Sequence, residues 1–225
     1  MNEPTPIIRI VDDDASFLKA IARTLRASGF AVKTFASAAE FLAQPELDIP
    51  GCVLVDLHMP GLNGLDLQEA LAKDGHRLPV IFLTGHGDIP STVQAMRRGA
   101  EDFLTKRAPK ENLLDAVKRA LDRNARERAG RAYLESLRAR FAALTARELE
   151  VLQHVVQGQL NKQIAFDLGI HERTVKLHRT SFTTKLRVGS TAELTKLWME
   201  AAGPQYMAEN FHLSAATVPT FPKGL

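Results

Sequence analysis

The sequence has very little cysteine and no long apolar segment, and each shortage excludes a class of protein. A single thiol, Cys52, in 225 residues rules out an intramolecular disulfide and disfavours a zinc site, which usually takes several Cys or His ligands. No apolar stretch approaches the roughly 20 residues that cross a bilayer. The first residues lack the basic region and following apolar stretch of a secretory signal. We therefore expect a cytoplasmic protein that makes no membrane contact.

Charge is distributed unevenly between the two halves of the chain. Apolar residues make up 45% and charged residues 24% of the sequence, which is typical of a globular protein. Residues 1–122 contain 14 Lys and Arg against 17 Asp and Glu, a net charge of −3, whereas residues 123–225 contain 15 against 9, a net charge of +6. A basic carboxyl-terminal half is expected of a chain that binds nucleic acid, although a solvated basic face is common in other proteins.

The first 120 residues alternate short apolar runs with helical patterns. Helical spacing is clearest for Phe17, Ile21 and Leu25, which lie four residues apart on one face. The runs that predict strands are Ile7–Val11, Phe30–Phe35, Cys52–Val55, Val80–Leu83 and Asp102–Leu104. Strands that are apolar throughout are typical of a parallel sheet covered on both faces. Five such units predict an α/β, flavodoxin-like, doubly wound fold.

After residue 109 the pattern is helical only. Residues 110–140 contain no proline and one glycine, which predicts a long helix that continues into a helical linker. Thr145 and Glu148 match a capping box at the start of a shorter helix. Asn161 is expected to cap another helix, and two further helices are predicted at about Glu172–Leu186 and Thr191–Ala202, the last one ended by the following Gly-Pro pair.

Polar residues stand at the ends of four of the predicted strands, namely Asp12 to Asp14, Asp56, Thr84 and Lys106. In a doubly wound sheet these ends share one edge, where ligands bind. Converging carboxylates repel one another, and a hard cation such as Mg²⁺ relieves that repulsion. A carboxylate can also accept a phosphoryl group, for which a Lys ammonium and a Thr hydroxyl are suitable donors. For Asp12 to Asp14 alone, a helix cap or turn is an equally good interpretation.

These polar strand ends belong to four sequence segments whose order and spacing together form a specific pattern. The segments are Ile10–Asp14, Val55–Gly61 with Gly64, Leu83–Asp88 and Gly99–Lys106. Together they resemble the receiver domain of two-component response regulators, most closely the FixJ branch of the NarL/FixJ family, over about residues 6–122. The resemblance implies that Asp12 and Asp13 bind the metal, Mg²⁺ or Mn²⁺, with the backbone carbonyl of His58. It also implies that Asp56 is the phosphoacceptor and the third carboxylate ligand.

The same resemblance assigns the neighbouring residues. Thr84 and Lys106 would hold the phosphoryl group, Phe103 would be the aromatic switch, and Asp14 would be a helix cap or surface residue. Receivers usually have Pro after this Lys, with a cis peptide bond, but residue 107 is Arg. A non-proline cis bond costs about 3 kcal/mol, so a trans bond or a shifted loop is expected, and the reach of Lys106 toward Asp56 stays open.

A second resemblance covers about residues 141–202. Residues 161–180 read as helix, turn and helix, the order of a helix-turn-helix in which the second helix enters the major groove. Leu144–Leu152, Asn161–Ala165 and Arg173–His178 resemble the LuxR-type helix-turn-helix. The resemblance implies base contacts from Lys176, Leu177 and Thr180 and phosphate contacts from Thr174, His178, Arg179 and Lys185. It also implies that residues 191–202 dimerise, with Leu194, Leu197 and Trp198 on one face.

These patterns predict a receiver at residues 1–122, a helical linker at 123–140, a four-helix DNA-binding domain at 141–206 and a loosely ordered tail at 207–225. We expect a transcription regulator that a sensor histidine kinase phosphorylates on Asp56, that pairs as a homodimer on operator DNA, and that contacts RNA polymerase. Its own catalysis would be at most self-dephosphorylation. A constitutive DNA-binding protein with the receiver as a dimerisation scaffold is the alternative. A dehalogenase-like enzyme is disfavoured because it would need Asp at position 58, where His stands.

Overall fold

The computed structural model describes residues 4–44, 47–85 and 89–210, in two compact units that divide between Ala129 and Gly130. The strands are β1 (Ile7–Val11), β2 (Ala31–Phe35), β3 (Gly51–Asp56), β4 (Val80–Thr84) and β5 (Asp102–Thr105). The helices are α1 (Ala15–Ala27), α2 (Ala38–Leu42), α3 (Gly64–Lys73), α4 (Ile89–Arg97), α5 (Lys110–Ala142), α6 (Ala146–Val156), α7 (Asn161–Asp167), α8 (Glu172–Leu186) and α9 (Thr191–Asn210).

The first unit is a five-stranded parallel sheet in the order β2-β1-β3-β4-β5, which confirms the predicted doubly wound fold. Alternate residues of β3 point to opposite faces, so Val53 and Val55 join the core under α2, α3 and α4. Cys52 and Leu54 join the core under α1 and α5. Burial raises the pKa of the Cys52 thiol to about 12. Both faces of the sheet are therefore covered, as the continuous apolar runs require.

A hydrogen bond between Asn124 and Gly51 connects α5 to the amino-terminal edge of the sheet. The buried Asn124 side chain accepts a hydrogen bond from Gly51 N–H at 3.1 Å and donates to the Arg77 carbonyl at 3.3 Å. Gly51 has a φ of +152°, and a Cβ there would lie 1.9 Å from the Ile7 carbonyl oxygen. Position 51 therefore requires glycine. The expected linker from residue 123 thus begins as a part of the first unit's packing.

The second unit is a set of short helices around one apolar core. Leu137 and Phe141, near the end of α5, are buried in it with the inner residues of α6, α7, α8 and α9. Leu194 and Trp198 also lie in this core, at 1% and 2% exposure, and the Trp198 ring meets the Phe141 ring edge-on at 5.4 Å. The face of α9 that carries these two residues, with Leu197 half-buried beside them, thus packs inside its own unit and is not the contact surface expected for it. Dimerisation through other residues of α9 stays a prediction.

Two predicted helix boundaries are wrong. Asn161 does not cap α7, because Leu160 occupies the cap position and the Asn161 side chain accepts from Arg179 instead. The helix α9 does not end before the Gly-Pro pair but continues through it to Asn210, although a proline inside a helix removes one amide donor and crowds the carbonyl four residues earlier. Residues 207–210 of the expected tail thus lie in α9, and residues 211–225 lie outside the described residues. Among the described helices, none has the length and apolar character to cross a membrane.

A buried carboxylate joins the first helix of the second unit to α8. Glu148 closes the predicted capping box with Thr145, which is confirmed. Its two oxygens also accept from the Ser181 hydroxyl at 2.6 Å and the Lys185 ammonium at 2.7 Å. Burial alone would raise the pKa of Glu148, but the contacts with Lys185, Ser181 and Thr145 outweigh it and lower the pKa to about 2. The charged form of Glu148 is therefore stabilised by folding.

This lowered pKa predicts acid sensitivity of the second unit. Because the pKa of Glu148 is about 2 in the folded state and roughly 4.3 in an unfolded chain, its contribution is complete above about pH 4.3 and is lost as the pH falls toward 2. The loss should reach about 3 kcal/mol in the free energy of unfolding. About half of this loss, roughly 1.5 kcal/mol, falls between pH 6 and pH 3. Urea unfolding followed by the fluorescence of Trp198, the chain's one tryptophan, measures it over that range.

The matched variants are Glu148→Gln and Glu150→Gln. Glu148→Gln should lower stability at pH 7 by about 1–3 kcal/mol, because it leaves the Lys185 ammonium without its carboxylate. It should also flatten the dependence on pH. Glu150→Gln removes a carboxylate two residues away that contacts Arg147, and it should keep the wild-type slope. Equal slopes for wild type and Glu148→Gln would contradict the assignment.

Candidate functional site

The carboxyl edge of the sheet brings together the residues that the strand ends suggested. Asp12 follows β1, Asp56 ends β3, Thr84 ends β4 and Lys106 follows β5. A carboxylate oxygen from each of Asp12, Asp13 and Asp56 lies within 4.8 Å of the others. Asp12 and Asp56 are 1% and 6% exposed, whereas Asp13 is exposed. The cluster therefore has two buried carboxylates, Asp12 and Asp56, and one exposed carboxylate, Asp13.

Lys106 lies between the two buried carboxylates. Its ammonium is 2.7 Å from Asp12 Oδ2 and donates a hydrogen bond to Asp56 Oδ2 at 2.9 Å. Burial disfavours the charged ammonium, but the contacts with the two carboxylates outweigh it and raise the pKa of Lys106. Burial also dominates at Asp12, where it raises the pKa of that carboxyl despite the nearby Lys106. One ammonium thus balances part of the negative charge of three carboxylates.

The loop after β5 positions Lys106 without a proline at the next residue, Arg107. Lys106 N–H donates to the Thr84 carbonyl at 2.8 Å, and Ala108 N–H donates to the Thr105 carbonyl at 2.9 Å. No peptide bond is cis in the part of the chain that the structure describes, including the Lys106–Arg107 bond. The question that the sequence left open is thereby answered: a trans bond brings the Lys106 ammonium to Asp56.

Glycine and aspartate shape the walls around Asp56. Gly64, at the start of α3, donates its N–H to the Leu57 carbonyl at 3.1 Å, and a Cβ there would lie 2.4 Å from the Asp56 carbonyl oxygen. This close approach explains the glycine in the motif. Asp14 caps α1 by accepting from Ser16 and Phe17 N–H groups, which confirms the expectation of a helix cap. Asp14 is therefore occupied by the backbone and stays outside the carboxylate cluster.

The remaining predicted residues of this site lie around the carboxylate cluster. Thr84 is fully buried at the end of β4. His58 is exposed, and its N–H lies 3.4 Å from Asp56 Oδ1. Phe103 is half-buried on β5, where its ring stacks on that of Phe82 with centroids 6.0 Å apart. Its ring thus packs against the core of the sheet on the face of α3 and α4.

The carboxylate cluster fits a small hard cation. Asp12 Oδ2 is buried and forms an ion pair with the Lys106 ammonium at 2.7 Å, without a further hydrogen bond among the described residues. That ammonium is shared with Asp56, so it compensates the buried negative charge only in part. Oxygen ligands at this spacing are those that Mg²⁺ prefers. The geometry therefore leaves an oxygen with spare capacity where a divalent cation would need one.

The second unit presents the exposed face of α8 beside α7. The two helices are joined by a turn at Gly169, which has a φ of +64°. Val175 and Ile164 are buried, with Ala165 and Leu168 half-buried against the same core. The outer face of α8 exposes Lys176, Leu177 and Thr180, and Leu177 is 63% exposed. Thr174 and His178 are half-buried at its sides.

Two of the expected phosphate contacts have partners inside the unit. Lys185 contacts Glu148, as described above. Arg179 donates to the Asn161 side chain at 2.9 Å and to the Thr191 hydroxyl at 3.4 Å, so it connects α8 to the starts of α7 and α9. Lys176 has an exposed contact with Glu172, one turn earlier, at 3.1 Å. The exposed part of α8 is therefore held in place by charged residues along its flank.

Sequence reasoning missed two contacts. Glu148 was interpreted as a cap alone, and its link to Lys185, 37 residues away, has no local signal. The spacing of Phe17 placed it on one helix face with Ile21 and Leu25, but it did not reveal that the Lys106 ammonium lies 4.7 Å from its ring centroid. Both contacts join residues that are distant in sequence, so spacing alone could not have revealed them.

Comparison with known proteins agrees with both units. Residues 8–118 match the response regulator receiver domain family, and residues 142–198 match the luxR family of bacterial regulatory proteins. Response regulator protein TmoT of Ectopseudomonas mendocina is 41% identical over 197 residues, which cover 88% of this chain and 90% of that protein. Transcriptional regulatory protein FixJ of Azorhizobium caulinodans is 40% identical over 198 residues, covering 88% and 93%.

Solved structures give the same result. The response regulator StyR is 43% identical with a TM-score of 0.80, covering 86% of this chain and 98% of that one. Full-length FixJ from B. japonicum is 34% identical with a TM-score of 0.55, covering 88% and 98%. The chain therefore belongs to the two-component response regulators of the NarL/FixJ family, in which a receiver domain is followed by a LuxR-type DNA-binding domain, and it is a regulator of transcription.

Proposed function

We propose that the chain is switched by transfer of a phosphoryl group to Asp56 from a phosphohistidine of a sensor histidine kinase. The observation that carries this proposal is the position of Lys106, whose ammonium lies against both Asp56 and Asp12. An Asp56 oxygen attacks the phosphorus, the bond from phosphorus to the histidine nitrogen breaks, and the kinase's imidazole leaves with a proton. The product is an aspartyl phosphate with added negative charge.

The residues around Asp56 have separate tasks in this proposal. Asp12, Asp13 and Asp56, with the backbone carbonyl of His58, would hold Mg²⁺ or Mn²⁺, which supplies positive charge for the transferred group when bound. Lys106 donates to one phosphoryl oxygen, and the Thr84 hydroxyl donates to another. Moving Thr84 toward the phosphoryl group would open space beside it. We propose that the Phe103 ring repacks in response, as an aromatic switch.

The output is operator binding. In this proposal the phosphorylated receiver forms a homodimer, and two copies of the DNA-binding domain then contact two half-sites of a double-stranded operator. Lys176, Leu177 and Thr180 face the bases, because all three are exposed on the outer face of α8. Thr174, His178 and Arg179 flank them as phosphate contacts. Lys185 is proposed to act first as the partner of Glu148, and any phosphate contact would share its ammonium. Contact with RNA polymerase and a cytoplasmic location complete the proposal.

Phosphorylation at Asp56 is tested with acetyl phosphate. Wild-type protein in Mg²⁺ should gain the mass of one phosphoryl group, and Asp56→Asn should gain none because the nucleophilic oxygen is lost. Chelation of Mg²⁺ should also prevent the gain. Asp74→Asn, which changes an exposed carboxylate at the end of α3, is the matched control and should behave as wild type. The readout is the intact mass of each protein over time.

A wild-type protein that gains no mass would contradict the proposal. It would favour the constitutive alternative, in which the receiver is only a dimerisation scaffold. A gain that persists in Asp56→Asn would instead assign the acceptor to another residue.

The DNA interface is tested with two exposed lysines. An operator is first selected from random duplex DNA with the phosphorylated full chain. Lys176→Ala should then weaken binding to that duplex by about 5- to 150-fold, since a well-placed base contact is worth about 1–3 kcal/mol. Lys196→Ala removes the same charge from the exposed side of α9 and should change the affinity less than twofold. Fluorescence anisotropy at fixed salt measures both.

The salt dependence separates base from phosphate contacts. Lys176→Ala should keep the wild-type slope of affinity against salt while relaxing the base preference at one position. Equal losses for Lys176→Ala and Lys196→Ala would show that charge alone, rather than the exposed face of α8, determines binding.

A further inference from the structure

The first turn of α1 places an aromatic ring next to the phosphoacceptor site. Phe17 N–H donates to the Asp14 carboxylate at 3.1 Å, so the N-cap of α1 fixes the backbone of this residue. Its ring is half-buried against the core under α1 and α5. The Lys106 ammonium lies 4.7 Å from the ring centroid. A cation at that distance from an aromatic face is within the range of a cation–π contact.

Lys106 needs such a contact because its side chain is long and its ionic partners change during the proposed reaction. The backbone of Lys106 is held by the hydrogen bond that its N–H donates to the Thr84 carbonyl. Beyond the backbone, four methylene groups rotate freely unless the ammonium is anchored. The observed ionic anchors are Asp12 and Asp56. A cation among the carboxylates or a phosphoryl group on Asp56 would weaken or replace both of these contacts.

The aromatic contact does not depend on those charges. We expect the Phe17 ring to keep its position on α1 when Asp56 is modified, because its backbone is capped by Asp14 and its ring packs on the core. The ammonium is also largely shielded from water, with the Lys106 side chain 18% exposed. Shielding strengthens the attraction between a cation and a ring face. The ring can therefore keep the ammonium beside Asp56 while its carboxylate partners change.

We propose that Phe17 is a positioning residue of the phosphoacceptor site, whose ring face holds the Lys106 ammonium next to Asp56 before and after phosphoryl transfer. This inference rests on the proposed function of Asp56 and deepens it. Phe17 has no contact with the transferred group in this proposal and acts through Lys106 alone.

The competing explanation is that Phe17 acts only through core packing. The substitution Phe17→Leu separates this role from the positioning of Lys106. Phe17→Leu keeps an apolar side chain against the core but removes the ring face. Phe17→Tyr keeps the ring, and its hydroxyl adds a polar atom at the far edge. A packing role predicts that Leu is the milder substitution in function, and a positioning role predicts that Tyr is.

The experiment compares full-length wild type, Phe17→Leu and Phe17→Tyr. With acetyl phosphate and Mg²⁺, Phe17→Leu should be phosphorylated about 5- to 30-fold more slowly, and Phe17→Tyr within twofold of wild type. Without any phosphodonor, NMR should show the ε-methylene protons of Lys106 shifted upfield by the ring in wild type and Phe17→Tyr, and unshifted in Phe17→Leu. Loss of the signal in Lys106→Met assigns it.

A double-mutant cycle guards against an effect of misfolding. In the Lys106→Met background, Phe17→Leu should slow phosphorylation no further, because the ammonium it acts on is absent. An equal loss in both backgrounds would assign Phe17 to packing and overturn the proposal. So would a rate for Phe17→Leu within twofold of wild type, or an unshifted Lys106 signal in wild type. A wild-type protein that gains no phosphoryl group would instead contradict the proposed function itself.

Discussion

The contact of one ammonium with two buried carboxylates is the constraint on which the first unit depends. Asp12 and Asp56 end neighbouring parallel strands, so the sheet itself forces their charges together. Lys106, from the strand at the sheet edge, supplies the positive charge that makes this arrangement stable. The same arrangement brings carboxylate oxygens of Asp12, Asp13 and Asp56 within 4.8 Å of one another. Folding therefore produces an acidic cluster that Lys106 neutralises in part, and we propose that it holds a divalent cation.

Much of this could be predicted from the sequence, because the relevant signals are local. Apolar runs such as Val80–Leu83 mark the strands, and the common edge of a parallel sheet then places Asp12, Asp56, Thr84 and Lys106 together. What could not be predicted depends on contacts between distant residues. The ring of Phe17 beside Lys106 and the Glu148 contact with Lys185 have no local signature. The reach of Lys106 to Asp56 is a third case, because the expected trans bond after Lys106 left several paths open to the loop.

The second unit shows how a buried charge can order a surface. Glu148 has its pKa lowered because Lys185 and Ser181 of α8 and Thr145 before α6 all stabilise its carboxylate. These contacts fix α8 against α6 from the inner side, and Arg179 does the same toward α7. The outer residues of α8, such as Leu177, are then free for contact with another molecule. The boundary error at Asn161 arose where a contact with Arg179 replaced the usual role of asparagine as a helix cap.

The burial of Cys52 makes the rate of its reaction with a thiol reagent a measure of how often the first unit opens. This thiol is fully buried in β3, and its pKa of about 12 keeps it protonated at neutral pH. A thiol reagent requires both access and a thiolate, so it can react only when the sheet separates from α1 and α5. The sequence contains no second cysteine to compete with it. The rate at which Cys52 is labelled therefore measures the opening of the receiver alone. The chain's one tryptophan lies in the other unit and does not report on this opening.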